Sequence, residues 1–178
     1  MRFLLAVFAF SSMCAGSPMR TPIDRAKATN PQAEVVPADV TWEGWSFFVA
    51  THGRERVGLA VPDDGGEVIG GRTALQTIAP PADTDPATLA QLVNLLVDPD
   101  SQSRGASIYQ GGGGADPLAR APSTTDGVLE YWRRHSRMAS WMRCQVDTAT
   151  YGPVTCVSAE DIRATDKLPQ DPLAKARY

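Results

Sequence analysis

The chain has 178 residues and a formal net charge of −3, which comes from 17 basic and 20 acidic residues. Hydrophobic residues make up 43% of it and charged residues 21%, so the sequence can form one domain with a core and lacks the composition of a disordered chain. The acidic balance argues against a dedicated nucleic-acid-binding protein, since these usually carry a basic excess, and we expect no nucleic-acid partner.

The N-terminus has the layout of a secretory signal peptide. Arg2 precedes an apolar run over residues 3–10, and small residues follow that run. The run is too short to span a bilayer, which takes about 20 residues. We therefore predict that residues 1–16 are a cleaved signal peptide and that the mature protein is periplasmic or secreted. A buried N-terminal helix or strand is the alternative.

Cys14 raises a second interpretation of the same segment. A cysteine soon after an apolar run resembles the lipidated cysteine of bacterial lipoproteins. That resemblance implies a membrane-anchored lipoprotein that contacts the membrane surface through its lipid. Ser11 and Met13 depart from the pattern, because the family has leucine three places before the cysteine and a small residue directly before it. Simple cleavage is therefore our main prediction, and lipidation at Cys14 is the alternative.

Residues 17–39 contain four prolines and few large apolar side chains, which is typical of a flexible linker. We predict a single globular domain over residues 40–164 and a polar tail over residues 165–178. The domain begins with an aromatic segment in which the two-residue alternation changes phase at Gly44, as expected for a strand with a bulge. Two turn signals and two further apolar runs follow, which predicts a three-stranded antiparallel meander.

The next segment carries the signals of an amphipathic helix. Asp85 can cap it, and Pro86 suits its first position. Leucine and valine then recur at three- and four-residue spacing up to about Val97. Residues 106–110 are compatible with another short strand.

We predict a second amphipathic helix over residues 126–142, with Asp126 as its cap. Its core stripe would consist of Val128, Tyr131, Trp132, His135, Met138, Ala139 and Met142. The opposite face would carry Arg133, Arg134, Arg137 and Trp141. Arginine and tryptophan are enriched at interface hot spots, so this face is our predicted binding surface for an envelope protein, favouring an acidic one. There are two alternatives. The face could be an ordinary solvated helix surface with Trp141 packed under a loop, or it could bind anionic headgroups or peptidoglycan.

Cys144 and Cys156 form an even pair once Cys14 is removed or acylated. They flank two short β runs around a turn at residues 151–153, and they are equally distant from Thr150. A hairpin centred there brings them face to face, so we predict a disulfide in an oxidising compartment. Two buried thiols are the alternative. No further cysteine or nearby histidine completes a zinc site, and we predict no metal.

The sequence gives little support for catalysis. Neither His52 nor His135 has a serine placed beside it by a recognisable motif, and the carboxylate pairs lie mostly beside turn formers. The glycine runs lack the lysine and hydroxyl residue of a phosphate loop, and we predict no cofactor. The alternative is a small periplasmic hydrolase that uses His52 with a carboxylate such as Asp63 or Asp64.

Together these patterns predict an α+β fold, in which a small antiparallel sheet (the meander plus the C-terminal hairpin) is packed by two helices and closed by one disulfide. For function they favour an exported, non-enzymatic envelope protein that binds another protein. It would be an accessory subunit or an inhibitor or immunity-type protein.

Overall fold

The computed structural model describes residues 21–99, 107–112, 117–134 and 140–167. The predicted signal peptide, Cys14, His135, Arg137 and most of the predicted polar tail lie outside these ranges. Within them the chain forms four helices and two antiparallel sheets, so the predicted α+β class is confirmed.

The first sheet contains the predicted meander. It is built from β1 (Glu34–Pro37), β2 (Trp45–His52), β3 (Glu55–Pro62) and β4 (Ile69–Gly70), in that order and all antiparallel. The β2–β3 hairpin pairs eight residues of each strand: Trp45 lies opposite Pro62 at one end, and His52 lies opposite Glu55 beside the turn. The aromatic strand β2 lies in the interior of the sheet, as expected, because β1 covers its other edge.

The prediction of a flexible linker is wrong from residue 21 onward. α1 (Pro22–Thr29) begins at a capping box formed by Thr21 and Asp24, and Pro22 occupies the first turn, where its missing N–H is not needed. Ala26 and Val35 are buried against one face of the first sheet. Two of the prolines that predicted a loose arm therefore have other roles: Pro22 marks a helix start and Pro37 the end of an edge strand.

Two helices follow the first sheet, α2 (Gly71–Ile78) and α3 (Pro86–Leu96). α3 is the predicted helix, and the Asp85 side chain accepts a hydrogen bond from the backbone N–H of Thr88 at 2.9 Å. The helix approaches β3 so closely that a Cβ atom at Gly58 would lie 2.1 Å from the carbonyl oxygen of Leu95. Only glycine fits at this contact.

The second sheet contains β5 (Ser107–Ile108), β6 (Ser123–Thr125), β7 (Val128–Arg134), β8 (Met142–Asp147) and β9 (Thr155–Ser158). Its order is β5-β7-β8-β9, and β6 pairs with the first residues of β7. Helix α4 (Ala159–Lys167) follows β9 directly and includes the first residues of the predicted tail. The predicted hairpin is confirmed, since Cys144 lies opposite Cys156 and the two form a disulfide.

The predicted second helix is wrong, because residues 128–134 form strand β7. Asp126 and Gly127 both have positive φ angles, 49° and 75°, which is the geometry of a two-residue hairpin turn between β6 and β7. We interpreted Asp126 as a helix cap, although an Asp-Gly pair is a strong hairpin signal. The segment therefore follows a two-residue period, with Leu129 and Tyr131 fully buried on the core side.

The main core cluster joins both sheets through α3. It contains buried side chains from the first sheet, α2, α3 and the second sheet, among them Phe47, Val49, Leu75, Leu92, Leu95, Leu129, Tyr131 and Val146. A second cluster lies between α1 and the opposite face of the first sheet. A third, smaller one packs around Trp132 and Ala159.

The close contact at Gly58 leads to a stability prediction. Gly58→Ala should lower the free energy of unfolding by about 2–3 kcal/mol, because the added methyl group would push α3 away from β3. Gly152→Ala is the matched control, since its Cβ would meet no atom closer than 3.4 Å, and it should change stability by less than about 0.5 kcal/mol. Urea unfolding followed by circular dichroism measures both. Equal effects of the two substitutions would contradict the packing argument.

Candidate functional site

Arg133 is largely buried and ion-paired within the molecule, whereas the predicted helix would place it on a solvated binding face. Its guanidinium lies 2.7 Å from a carboxylate oxygen of Asp98 and donates a hydrogen bond to the side-chain oxygen of Asn94 at 3.2 Å. The Arg133 side chain is only 14% exposed, and Asn94 is completely buried in α3. Arg133 therefore connects β7 to the C-terminal end of α3 and is not presented to a partner.

Arg133 and Arg134, two described members of the predicted arginine–tryptophan face, lie on opposite sides of β7. Successive side chains of a strand point to opposite faces, so Arg134 lies on the other side of β7 from Arg133 and is exposed there. Trp141 is half-buried, and its ring packs edge-to-face against that of Tyr109, with 5.5 Å between the centroids. Trp141 is thus partly accounted for by packing in the third cluster.

The structure does not bring together the residues of the alternative hydrolase. His52 is exposed at the end of β2 beside the β2–β3 turn, whereas Asp63 and Asp64 follow the opposite end of β3. Seven residues of strand separate the two ends, which corresponds to about 23 Å. In the described ranges, no group of three or more histidine, cysteine, aspartate and glutamate side chains is placed to hold a metal ion.

The loop of the disulfide hairpin is organised by Asp147. Its carboxylate accepts hydrogen bonds from the backbone N–H of Thr150 at 2.8 Å, from the Thr150 hydroxyl at 3.0 Å and from the backbone N–H of Ala149 at 2.9 Å. The bonds from Thr150 are the main reason that the pKa of Asp147 lies below the ordinary carboxyl value. Asp147 therefore holds the turn that sets Cys144 opposite Cys156.

A groove of about 610 Å³ opens at the end of the first sheet, where the chain leaves β1 and returns as β2. Its walls come from the loop between these strands, from the first half of β2 and from the residue that follows β3. The lining residues are Pro37, Ala38, Val40, Thr41, Trp42, Glu43, Gly44, Trp45, Ser46, Phe47, Phe48 and Asp63. We refer to it as the tryptophan groove.

A tight turn places the two tryptophans of this groove side by side. The N–H of Trp45 donates to the carbonyl of Trp42 at 3.1 Å, and Gly44 has a φ angle of 76° at the third position of the turn, as a type II turn requires. Trp42 and Trp45 are bridge partners, and both are half-buried against the core. The phase change at Gly44 is therefore a turn and not the predicted bulge.

The charges at the tryptophan groove are all negative. Glu43, in the turn, and Asp63, after β3, are both exposed, and they are the charged residues of the described lining. The Ser46 hydroxyl donates to the Asp63 carboxylate at 2.8 Å, and the Asp63 N–H donates to the carbonyl of Gly44 at 2.9 Å. These bonds fix the carboxylate of Asp63 beside the tryptophan turn.

Sequence analysis missed this groove, although the signal was present. Two tryptophans flank Glu43 and Gly44, and a glycine that interrupts an alternating pattern can mark a turn as well as a bulge. The contribution of Asp63 could not be seen, because it depends on the register of β2 against β3.

Comparison with known proteins gives no relative: no protein-family model, no curated protein and no solved structure matches the chain. Over the described residues, every helix is too short or too polar to cross a membrane. The site is therefore interpreted from its own geometry.

The Arg133–Asp98 ion pair gives a second stability prediction. Asp98→Asn should lower the free energy of unfolding by about 1–3 kcal/mol, because the largely buried guanidinium loses its carboxylate. Asp83→Asn removes an exposed carboxylate from the α2–α3 loop and should cost less than about 0.5 kcal/mol. In a double-mutant cycle with Arg133→Met, measured by urea unfolding, the two costs should be less than additive. Strict additivity would show that the pair contributes no interaction energy.

Asp147 gives a prediction for the pH dependence of stability. Its pKa is lower in the folded state, so the stability it contributes is present above about pH 4, the ordinary carboxyl range, and is lost as the pH falls through the folded pKa. The difference in Tm between the wild type and Asp147→Asn should therefore be present at about pH 6 and shrink towards about pH 2. Thermal unfolding at a series of pH values measures it, and a difference independent of pH would contradict the assignment.

Proposed function

We propose that the chain is an exported envelope protein that acts as a non-catalytic protein-binding module, as an accessory subunit or an inhibitor-type protein. The tryptophan groove is its binding surface. The observation that carries the proposal is the pair Trp42 and Trp45, which line the groove and are only partly buried by the rest of the fold.

Trp42 and Trp45 pack against the main core cluster but keep part of their surface accessible in the groove. Apolar surface that leaves water contributes about 25 cal/mol per Å², and tryptophan has more of it than any other side chain. Tryptophan is also enriched among the residues that dominate binding energy, especially where a pocket excludes water. A partner segment that fills the groove would bury the remaining indole surface.

The disulfide supports the exported part of the proposal. Disulfides form and persist in oxidising compartments and are rare in the cytosol. The Cys144–Cys156 bond fits the predicted removal of residues 1–16, and it leaves Cys14 either with the cleaved peptide or as a lipid attachment site. Anchoring through Cys14 would place the tryptophan groove near a membrane surface without changing how it binds.

The position of the groove changes the partner that we expect. The acidic partner was predicted from a face of arginines, of which Arg133 is now internal. The tryptophan groove carries carboxylates, so an acidic partner segment would be repelled there.

Site-specific crosslinking in the organism's own cells tests the proposal. A photo-crosslinking residue at Thr41, which is exposed at the groove, should give a discrete adduct with a second protein. The same residue at Arg54, exposed in the turn at the opposite end of the β2–β3 hairpin, is the matched control and should not give that adduct.

The same cells test export. The protein should be found in the envelope or the medium without residues 1–16, and Cys144 and Cys156 should resist alkylation until they are reduced. An intact cytosolic product with two free thiols would contradict export. Identical adducts from the Thr41 and Arg54 positions would contradict a binding role for the groove.

A further inference from the structure

The surroundings of the tryptophan groove have an excess of negative charge beyond its lining. Asp39 lies between the lining residues Ala38 and Val40, and Asp64 follows Asp63; both are exposed. The nearby cation Arg25 lies outside the lining; its guanidinium donates to the carbonyls of Pro62 and Gly66, keeps its charge there and offsets part of the negative charge of Asp63 and Asp64. The groove therefore combines two tryptophans with two carboxylates, Glu43 and Asp63, and its described lining contains no cation.

This combination suits a positively charged side chain. A lysine ammonium or arginine guanidinium is attracted to the face of an indole ring, and the attraction increases when the cation is partly desolvated. Glu43 and Asp63 would supply the opposite charge at the rim while Trp42 and Trp45 supply the ring surface. A glutamate or aspartate in the same position would meet only like charge and apolar rings.

The size of the groove suits a polypeptide segment as the carrier of that cation. A volume of about 610 Å³ exceeds what a single ammonium or guanidinium group fills. Apart from the hydroxyl residues Thr41 and Ser46, the remaining lining is apolar, with Pro37 and Val40 among it, which suits aliphatic or proline side chains beside the cation. Aromatic-lined grooves are a recurring site for extended, proline-containing segments, whose ordering on binding costs little entropy. A neutral sugar could stack on the tryptophans but would gain nothing from the excess charge.

We infer that the tryptophan groove binds an extended segment of a partner protein that presents a lysine or arginine side chain to Trp42, Trp45, Glu43 and Asp63. The inference rests on the proposed function and specifies the chemistry of the partner.

Fluorescence anisotropy with labelled peptides and the oxidised, full chain tests the inference. The first probe is a decapeptide of proline and alanine with two arginines, and the second has glutamates in place of the arginines. The arginine peptide should bind at least about tenfold more tightly, and its affinity should fall as salt is raised, because the attraction is between charges near the surface. Equal affinity for the two peptides, binding of neither, or displacement of the arginine peptide by a neutral oligosaccharide would overturn the inference.

Charge-neutral variants locate the interaction. Glu43→Gln combined with Asp63→Asn should weaken binding of the arginine peptide about tenfold and reduce the salt dependence of that binding, because two negative charges are lost. Asparagine at position 63 can still accept the hydrogen bond from Ser46, so the turn is kept. Glu55→Gln combined with Asp83→Asn changes the net charge by the same amount at exposed positions outside the groove and should have little effect. The Tm of each variant verifies folding. Equal weakening by both pairs would show that only the overall charge matters and would overturn the assignment to the groove.

Failure of this inference can be told apart from failure of the proposed function. If crosslinking from Thr41 still captures a specific protein while the arginine peptide does not bind, the groove remains a protein-binding surface and the cationic segment is wrong. If neither is observed, both are wrong.

Discussion

The close packing of α3 against β3 is the contact on which the rest of the structure depends. Gly58 allows the backbone of the helix to lie directly on the strand at Leu95, which no larger residue would permit. The same helix reaches the second sheet through Asn94 and, just beyond its end, through the ion pair of Asp98 with Arg133. One buried helix thus joins two sheets that share no strand, and their apolar faces become a single core cluster.

This arrangement also determines how rigid the tryptophan groove is. Strand β2 has a partner on each edge, and Phe47 and Val49 anchor it in the main core cluster. Trp45 is the first residue of that strand, and the turn at Gly44 returns Trp42 to it. The wall of the proposed binding groove that β2 supplies is therefore anchored in the core, and an anchored wall would lose less conformational entropy on binding a partner segment.

The distribution of charge is more informative about function than the net charge of −3. Arg133 is paired with Asp98 inside the molecule and so adds no basic surface for recognition, whereas the guanidinium of Arg25 bonds to neutral carbonyls and keeps its charge. Carboxylates such as Glu43 and Asp63, in contrast, stay exposed beside aromatic rings. The acidic composition that argued against nucleic acid is also compatible with a site for cationic protein segments.

Local signals in the sequence determined α3, the β2–β3 hairpin and the pairing of Cys144 with Cys156, because caps, turns and short-range alternation act between residues close in the chain. The apolar positions of residues 128–134 fit a helical stripe as well as a strand; Asp126-Gly127 is a local hairpin signal, and pairing with β8 in the tertiary structure selects the strand. The same pairing turns Arg133 inward. The groove was visible only in part: Trp42 and Trp45 flank a turn glycine in the sequence, whereas Asp63 joins them only once β2 and β3 are paired.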